Sequence, residues 1–174
     1  MCLCSVVVAS ACVILVAIVI ITPSVAVTQS VISSICSQTQ NQEICEIILL
    51  IDNRTNSADL PLLSLISIEV AMKQVDKNYQ AFCQFHDNTT DPGLKISFEN
   101  CVRIYQNMKD IIRKDYKLSQ QKQYKSICDL GKLTTLAYDC ENGLPSNSPT
   151  AAITEDMLLH AQTVAYTNSF VAGS

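Results

Sequence analysis

Two histidines, His86 and His160, are the only imidazoles in the chain, and neither stands in a motif that would make it a base. Nucleophilic catalysis needs a base beside its nucleophile and a third group to orient that base, and the chain has no G-x-S-x-G elbow. Four glycines leave little material for a phosphate-cradling loop, and no His-x-x-x-His zinc spacing occurs. The pair Glu155-Asp156 and the run Arg113-Lys114-Asp115 read as solvated helix ends. No cofactor and no metal are expected, and the lack of site chemistry favours a binding protein over an enzyme.

The other reactive residues are cysteines. Cys36, Cys45, Cys83, Cys101, Cys128 and Cys140 follow a strongly apolar segment that runs from Leu3 to Ile21. Thr22, Pro23, Ser24 and Val25 break that run, and Ala26 with Ser24 two positions before it offers a small-residue cleavage site. Residues 1–26 are therefore read as a secretory signal peptide, which removes Cys2, Cys4 and Cys12 and leaves six cysteines for an oxidising compartment. The alternative is an uncleaved anchor, since the run approaches the roughly 20 residues that span a bilayer and no Lys or Arg precedes Arg54.

Residues 27–174 suffice for one compact domain with its own core and are too few for two ordinary ones. Twelve basic residues against sixteen acidic ones give a net charge of −4, which argues against a nucleic-acid partner. With the leader removed, no membrane association is expected. Two N-glycosylation sequons, Asn53-Arg54-Thr55 and Asn88-Thr89-Thr90, lie in polar stretches read as loops.

Helical spacing organises the rest. Residues 27–56 read as an α-hairpin, two short helical stretches around Ser37 to Asn41 with Cys36 and Cys45 bracketing the turn. Residues 57–174 read as a four-helix bundle. After Ser57-Ala58-Asp59 and Pro61, the series Leu65, Ile68, Met72, Val75, Tyr79 and Phe82 steps by threes and fours. A polar break from Gln84 to Gly93 precedes a second series at Leu94, Phe98, Cys101, Tyr105, Met108 and Ile112. Ser119 to Gln123 reads as a connection, and Ile127, Leu130, Leu133, Ala137 and Cys140 form the stripe of a third helix. Asn142-Gly143 and Pro145 to Pro149 stop it, and Leu158, Ala161, Val164, Ala165 and Val171 mark a fourth. Short connectors imply an up-down-up-down order in an all-α fold.

Ile35-Cys36, Thr39, Cys45, Ala58-Asp59-Leu60, Asp91-Pro92, Glu99-Asn100-Cys101 with Tyr105, and Asp139-Cys140-Glu141-Asn142-Gly143 occur in this order. Together with Ser148-Pro149 they make the chain resemble the plant invertase and pectin methylesterase inhibitors over about residues 30 to 172. The resemblance implies an N-terminal α-hairpin on a four-helix bundle, with disulfides Cys36–Cys45 and Cys101–Cys140. It leaves Cys83 and Cys128 over, expected as unpaired, buried thiols filling gaps in the bundle. On a third helix that includes Cys128, that residue would lie roughly 18 Å from the Cys140 pole, too far to bridge Cys83.

Members of that family have no catalytic activity; they cover the substrate cleft of a carbohydrate-active enzyme in a stoichiometric complex. The resemblance therefore implies a secreted inhibitor acting in the apoplast, the cell wall or the vacuole. Its target would be a pectin methylesterase or, alternatively, an acid invertase. Invertase-directed members resemble one another in a Pro-Lys-Phe stretch where this chain has Gln123-Tyr124-Lys125, which favours the methylesterase. Asn41 and Gln42 also replace the family's usual aromatic and proline, and Leu144 replaces an aromatic. Cations crowd near the second connection, and Lys114, Lys117, Lys122, Tyr124 and Lys125 are the expected target contacts. A secreted helical signalling or structural ligand is the further alternative, because the same disulfides and periodicity would serve it.

Overall fold

A computed structural model describes residues 26–145, 148 and 150–174. The expected leader lies outside the described residues apart from Ala26. Six α-helices follow in order: α1 (Gln29–Cys36), α2 (Gln42–Leu50), α3 (Leu60–Asn88), α4 (Pro92–Gln120), α5 (Lys132–Asn142) and α6 (Ala151–Gly173). Short 3₁₀ turns at Asn53–Ser57 and Tyr124–Ser126 complete the secondary structure, and there is no strand among the described residues.

The helix starts follow from local chemistry. Asn41 accepts a hydrogen bond from the Ile44 amide at 3.1 Å, Asp59 from Leu62 at 2.8 Å, and Asp91 from Gly93 and Leu94 at 2.8 and 3.0 Å. These acceptors satisfy amides that would otherwise have no partner at a helix N-terminus. Pro61 and Pro92 sit in the first turns of α3 and α4, where the missing N–H costs nothing.

In the bundle α3 packs on α4 and α6, and α5 closes the ring between α4 and α6, the up-down-up-down arrangement. Its core includes Ile68, Val75 and Phe82 of α3, Phe98, Tyr105, Met108 and Ile112 of α4, Leu133 and Ala137 of α5, and Met157, Ala161 and Val164 of α6. Phe82 lies 5.2 Å from Tyr105 and Phe85 lies 5.4 Å from Phe98, ring centre to ring centre. A second core forms where Ile32, Ile35, Ile48 and Leu49 of the hairpin meet Leu63, Ile66 and Val70 of α3. Disulfides join Cys36 to Cys45 within the hairpin and Cys101 of α4 to Cys140 of α5, with Cα separations of 5.4 and 4.8 Å.

The structure revises several element boundaries. The expected break from Gln84 to Gly93 shrinks to Thr89–Asp91, because α3 continues through the polar residues to Asn88 while Phe85 keeps its inner face packed. Asn88 thus ends a helix rather than lying in a loop. Ser119 belongs to α4, fully buried, and shares a hydrogen bond of 2.7 Å with Ser64 of α3. The third bundle helix begins at Lys132 rather than at Ile127, whose extended backbone (ψ 96°) follows the 3₁₀ turn.

Cys128 therefore lies outside that helix. Cys83 and Cys128 are both free, as expected, yet Cys128 is exposed and Cys83 half-buried, so neither is a fully buried packing thiol.

Two buried polar layers cross the bundle. Ser64 donates to Asn168 of α6 at 2.6 Å, and Asn168 donates to Ser67 at 3.3 Å and to the Val164 carbonyl at 2.9 Å. Nearer the other end, the Asn78 side-chain amide donates to the Tyr105 hydroxyl and the Ile153 carbonyl, both at 3.3 Å. Gln74 donates to Asn78 and Asp156 at 2.9 and 2.7 Å. Burial pushes the Tyr105 phenol up to about 12, so it stays a neutral donor and acceptor. Each layer links α3 to α6 and to α4, and a shift of register would leave its members unpaired.

Asp115 is different. It is fully buried on α4, and neither carboxylate oxygen makes a hydrogen bond of good geometry. Burial pushes its carboxyl above the usual range, the charge of Asp129 adds to that, and Lys114 and Lys132 oppose it.

A carboxyl with a raised folded-state pKa binds its proton more tightly in the folded chain. Stability is then highest below the unfolded value and falls as pH rises from there through the raised value. Asp115→Asn should abolish that fall and stabilise the protein by about 1 kcal/mol at pH 7, the scale of an unmet buried polar group. Thermal melts from pH 3 to 7 would show the two proteins diverging as pH rises; parallel curves would contradict this. Separately, digestion of unreduced protein should give the 36–45 and 101–140 bridges and alkylated thiols at Cys83 and Cys128, with Cys128 reacting first. A peptide joining Cys83 to Cys128 would contradict the structure.

Candidate functional site

Basic residues concentrate in one stretch. Residues 113–132 hold six of the twelve Lys and Arg and two of the sixteen acidic residues, so the remainder is strongly acidic. The stretch comprises the end of α4, the connection after it and the start of α5, which meet at one pole of the bundle with the C-terminal end of α6.

The connection has a defined shape. After Gln120 the backbone turns at Lys122, the one non-glycine residue with positive φ (58°) among those described. Amides of Lys122 and Gln123 donate to carbonyls of Ser119 and Leu118 at 2.9 Å, folding the chain back onto the end of α4. The 3₁₀ turn Tyr124–Ser126 then leads to Asp129, which accepts from Lys114 at 2.8 Å and pairs with Lys132 at 2.7 Å. Hydrogen bonds from these two lysines hold the Asp129 carboxyl down to about 2 and raise both ammonium groups. Lys114, Asp129 and Lys132 therefore clasp the connection to α4 and α5.

Of the five expected contact residues, the structure brings Lys122, Tyr124 and Lys125 together. They line a hollow of about 380 Å³ with Gln123, Ser126, Val171, Ala172 and Ser174. Lys122 and Lys125 are exposed; Tyr124 is half-buried, and burial first and then the Asp59 charge raise its phenol. Lys117 is exposed on α4. Lys114 is exposed as well but already engaged by Asp129, which makes it a support for this surface. The sequence reading missed Asp129, whose partners are 15 residues before it and three after it. The signal available was its position between those lysines.

Neither histidine belongs to a catalytic arrangement. His86 Nδ1 lies 3.0 Å from the Asp87 carboxylate, and His160 Nδ1 lies 2.8 Å from the Asp156 carbonyl oxygen, each on its own helix. No group of three or more metal-ligating side chains occurs among the described residues. No described helix is long and apolar enough to cross a membrane. What this pole offers a partner is cations, amides, hydroxyls and one ring edge, the material of non-covalent recognition.

Comparison with known proteins places this geometry in a lineage. The family model described as plant invertase/pectin methylesterase inhibitor matches residues 30–169. A pectinesterase inhibitor of Actinidia deliciosa is 31% identical over 146 residues, covering 79% of this chain and 76% of its own. The crystal structure of a pectin methylesterase inhibitor from Arabidopsis thaliana superposes with a TM-score of 0.58 at 15% identity, covering 82% of this chain and 97% of that one, and so shares the fold. With the family model matching nearly all of the helical domain, the chain belongs to the plant invertase/pectin methylesterase inhibitor family.

Proposed function

We propose that this protein is a secreted inhibitor of a pectin methylesterase in the plant cell wall, acting by a non-covalent stoichiometric complex that covers the enzyme's substrate cleft. The observation that carries the reading is the 31% identity to a pectinesterase inhibitor over three quarters of both chains. The connection supports it, because Gln123-Tyr124-Lys125 stands where invertase-directed relatives carry Pro-Lys-Phe. A disulfide-linked fold suits the oxidising environment outside the cell.

In this reading the basic pole contributes to docking. Lys117, Lys122 and Lys125 steer the encounter, Tyr124 supplies a ring, and Lys114 acts through Asp129 to keep the connection in shape. The clasp lowers the ordering cost of binding, since the turn is already held before the enzyme arrives.

Titration of the refolded, oxidised protein into pectin methylesterase and acid invertase assays tests this directly. Inhibition of the methylesterase should reach its end point at one inhibitor per enzyme, with the inhibitor uncleaved by mass and the invertase unaffected. Complete inactivity on the methylesterase would refute the proposal, and inhibition of the invertase alone would reassign the target. Reversing both exposed lysines, K122E with K125E, should weaken inhibition about tenfold or more, equivalent to about 1.4 kcal/mol, and that loss should be smaller at high salt. An unchanged inhibition constant would remove this pole from the interface.

A further inference from the structure

The outer edge of α2 is apolar and uncovered. Ile47, Leu50 and Ile51 are 53%, 38% and 71% exposed, three of the five large hydrophobic residues exposed in the described structure. Their spacing of three and four places them side by side on one face of the helix. Contiguous exposed apolar surface of this kind promotes association or marks something that covers it.

The chain itself supplies a cover two residues further on. Asn53 of the sequon Asn53-Arg54-Thr55 is exposed and opens the 3₁₀ turn directly after α2. The turn is held rigidly. Arg54 donates to Asp52 at 2.7 and 2.9 Å and pairs with Glu69 of α3, and Thr55 donates to the Leu49 carbonyl at 2.6 Å. Arg54 and Thr55 are thus tied into the protein, and Asn53 is left at the rim of the apolar edge.

Next to this rim lies a hollow of about 260 Å³, bordered by Ile51, Asp52, Val70, Lys73, Gln74, Lys77 and His160. It offers an apolar wall with amide, ammonium and imidazole groups around it. Sugar rings present the matching combination of apolar faces and hydroxyl edges.

We propose that Asn53 carries an N-linked glycan whose first sugars lie over Ile47, Leu50 and Ile51, making the glycan the outer layer of the hairpin. The bond formed joins Asn53 Nδ2 to C1 of the first N-acetylglucosamine. The bond broken joins that C1 to the lipid-linked diphosphate donor of the secretory pathway, which leaves with the electron pair, while the amide gives up one proton. The folded structure also sets the order of events. The Thr55 hydroxyl, which the sequon requires, is 1% exposed and engaged by Leu49 once the hairpin is closed, so transfer precedes folding of this turn. Asn88 carries no such constraint: Asn88 and Thr90 are both exposed, and Asp87 and Asp91 surround them with charge.

This inference rests on the reading of the chain as secreted but not on its inhibitory activity, because its test uses no enzyme. The full chain is expressed through a plant or yeast secretory pathway, and glycopeptide mass spectrometry reads occupancy at both sequons. Asn53 should be occupied. Asn53→Gln should increase binding of a hydrophobic dye and cause self-association in light scattering, Asn88→Gln should do neither, and adding I47S and I51S to N53Q should restore the parent behaviour. Should N53Q fail to fold, trimming the glycan from the folded wild-type protein gives the same comparison. An unoccupied Asn53 in the secreted protein, or dye binding and dispersity unchanged by loss of the glycan, would overturn the proposal. So would a discrete two-copy particle of the glycosylated protein that the I47S and I51S changes disrupt, which would make this face an interface between copies.

Discussion

The bridge between Cys101 and Cys140 is the constraint on which the basic pole of the molecule depends. Helix α5 has eleven residues and buries only Leu133, Ala137 and Cys140, too little to hold it by packing alone. Tying its far end to the N-terminal third of α4 closes a loop of about 40 residues, worth about 3.9 kcal/mol in the chain-entropy description. With that end held, the Lys114–Asp129–Lys132 clasp secures the other, and the connection between α4 and α5 spans two fixed points. The basic pole has a shape because the bridge holds it from a distance and the clasp fixes it at its own edge.

Helix α3 is the second organiser, since it serves two cores at once. Ile68, Val75 and Phe82 face the bundle, while Leu63, Ile66 and Val70 face the hairpin. The hairpin, with helices of eight and nine residues, is below the length at which isolated helices persist in water. Its own disulfide, the packing on α3 and the contacts with α6 hold it in place. The buried polar layers add specificity to this packing: Asn168 and Asn78 are satisfied only when α3, α4 and α6 stand in one register.

The chemistry of the molecule is accordingly divided by location. Among the described residues the buried side-chain hydroxyls and amides other than Thr154 are paired and fix helix positions, whereas half of the lysines and arginines lie in one stretch at one pole. Asp115 is a buried carboxylate whose oxygens have no hydrogen-bond partner of good geometry, and Thr154 Oγ1 is buried and unpaired as well. The Asp115 penalty is smallest in acid, whereas Asp52 and Asp129, held low by their hydrogen bonds, contribute stability that is lost there.

Features set by near neighbours were legible in the sequence. Asp59 with Pro61 and Asp91 with Pro92 mark helix starts because a cap needs only the next two or three amides, and the three-and-four spacing of Phe98, Cys101, Tyr105 and Met108 shows which side of α4 is inside. The order and spacing of the cysteines, matched to a family, carried the bridge pattern. Tertiary structure alone decided that polar Gln84 to Asn88 continue α3, since Phe85 finds Phe98 across the bundle, and that Ser119 is a core residue, since its partner Ser64 is 55 positions away. It also decided that Ile127 and Cys128 lie outside α5 and that α3 has a second buried face. In each case the deciding free energy comes from a partner remote in sequence, and local spacing holds no record of it.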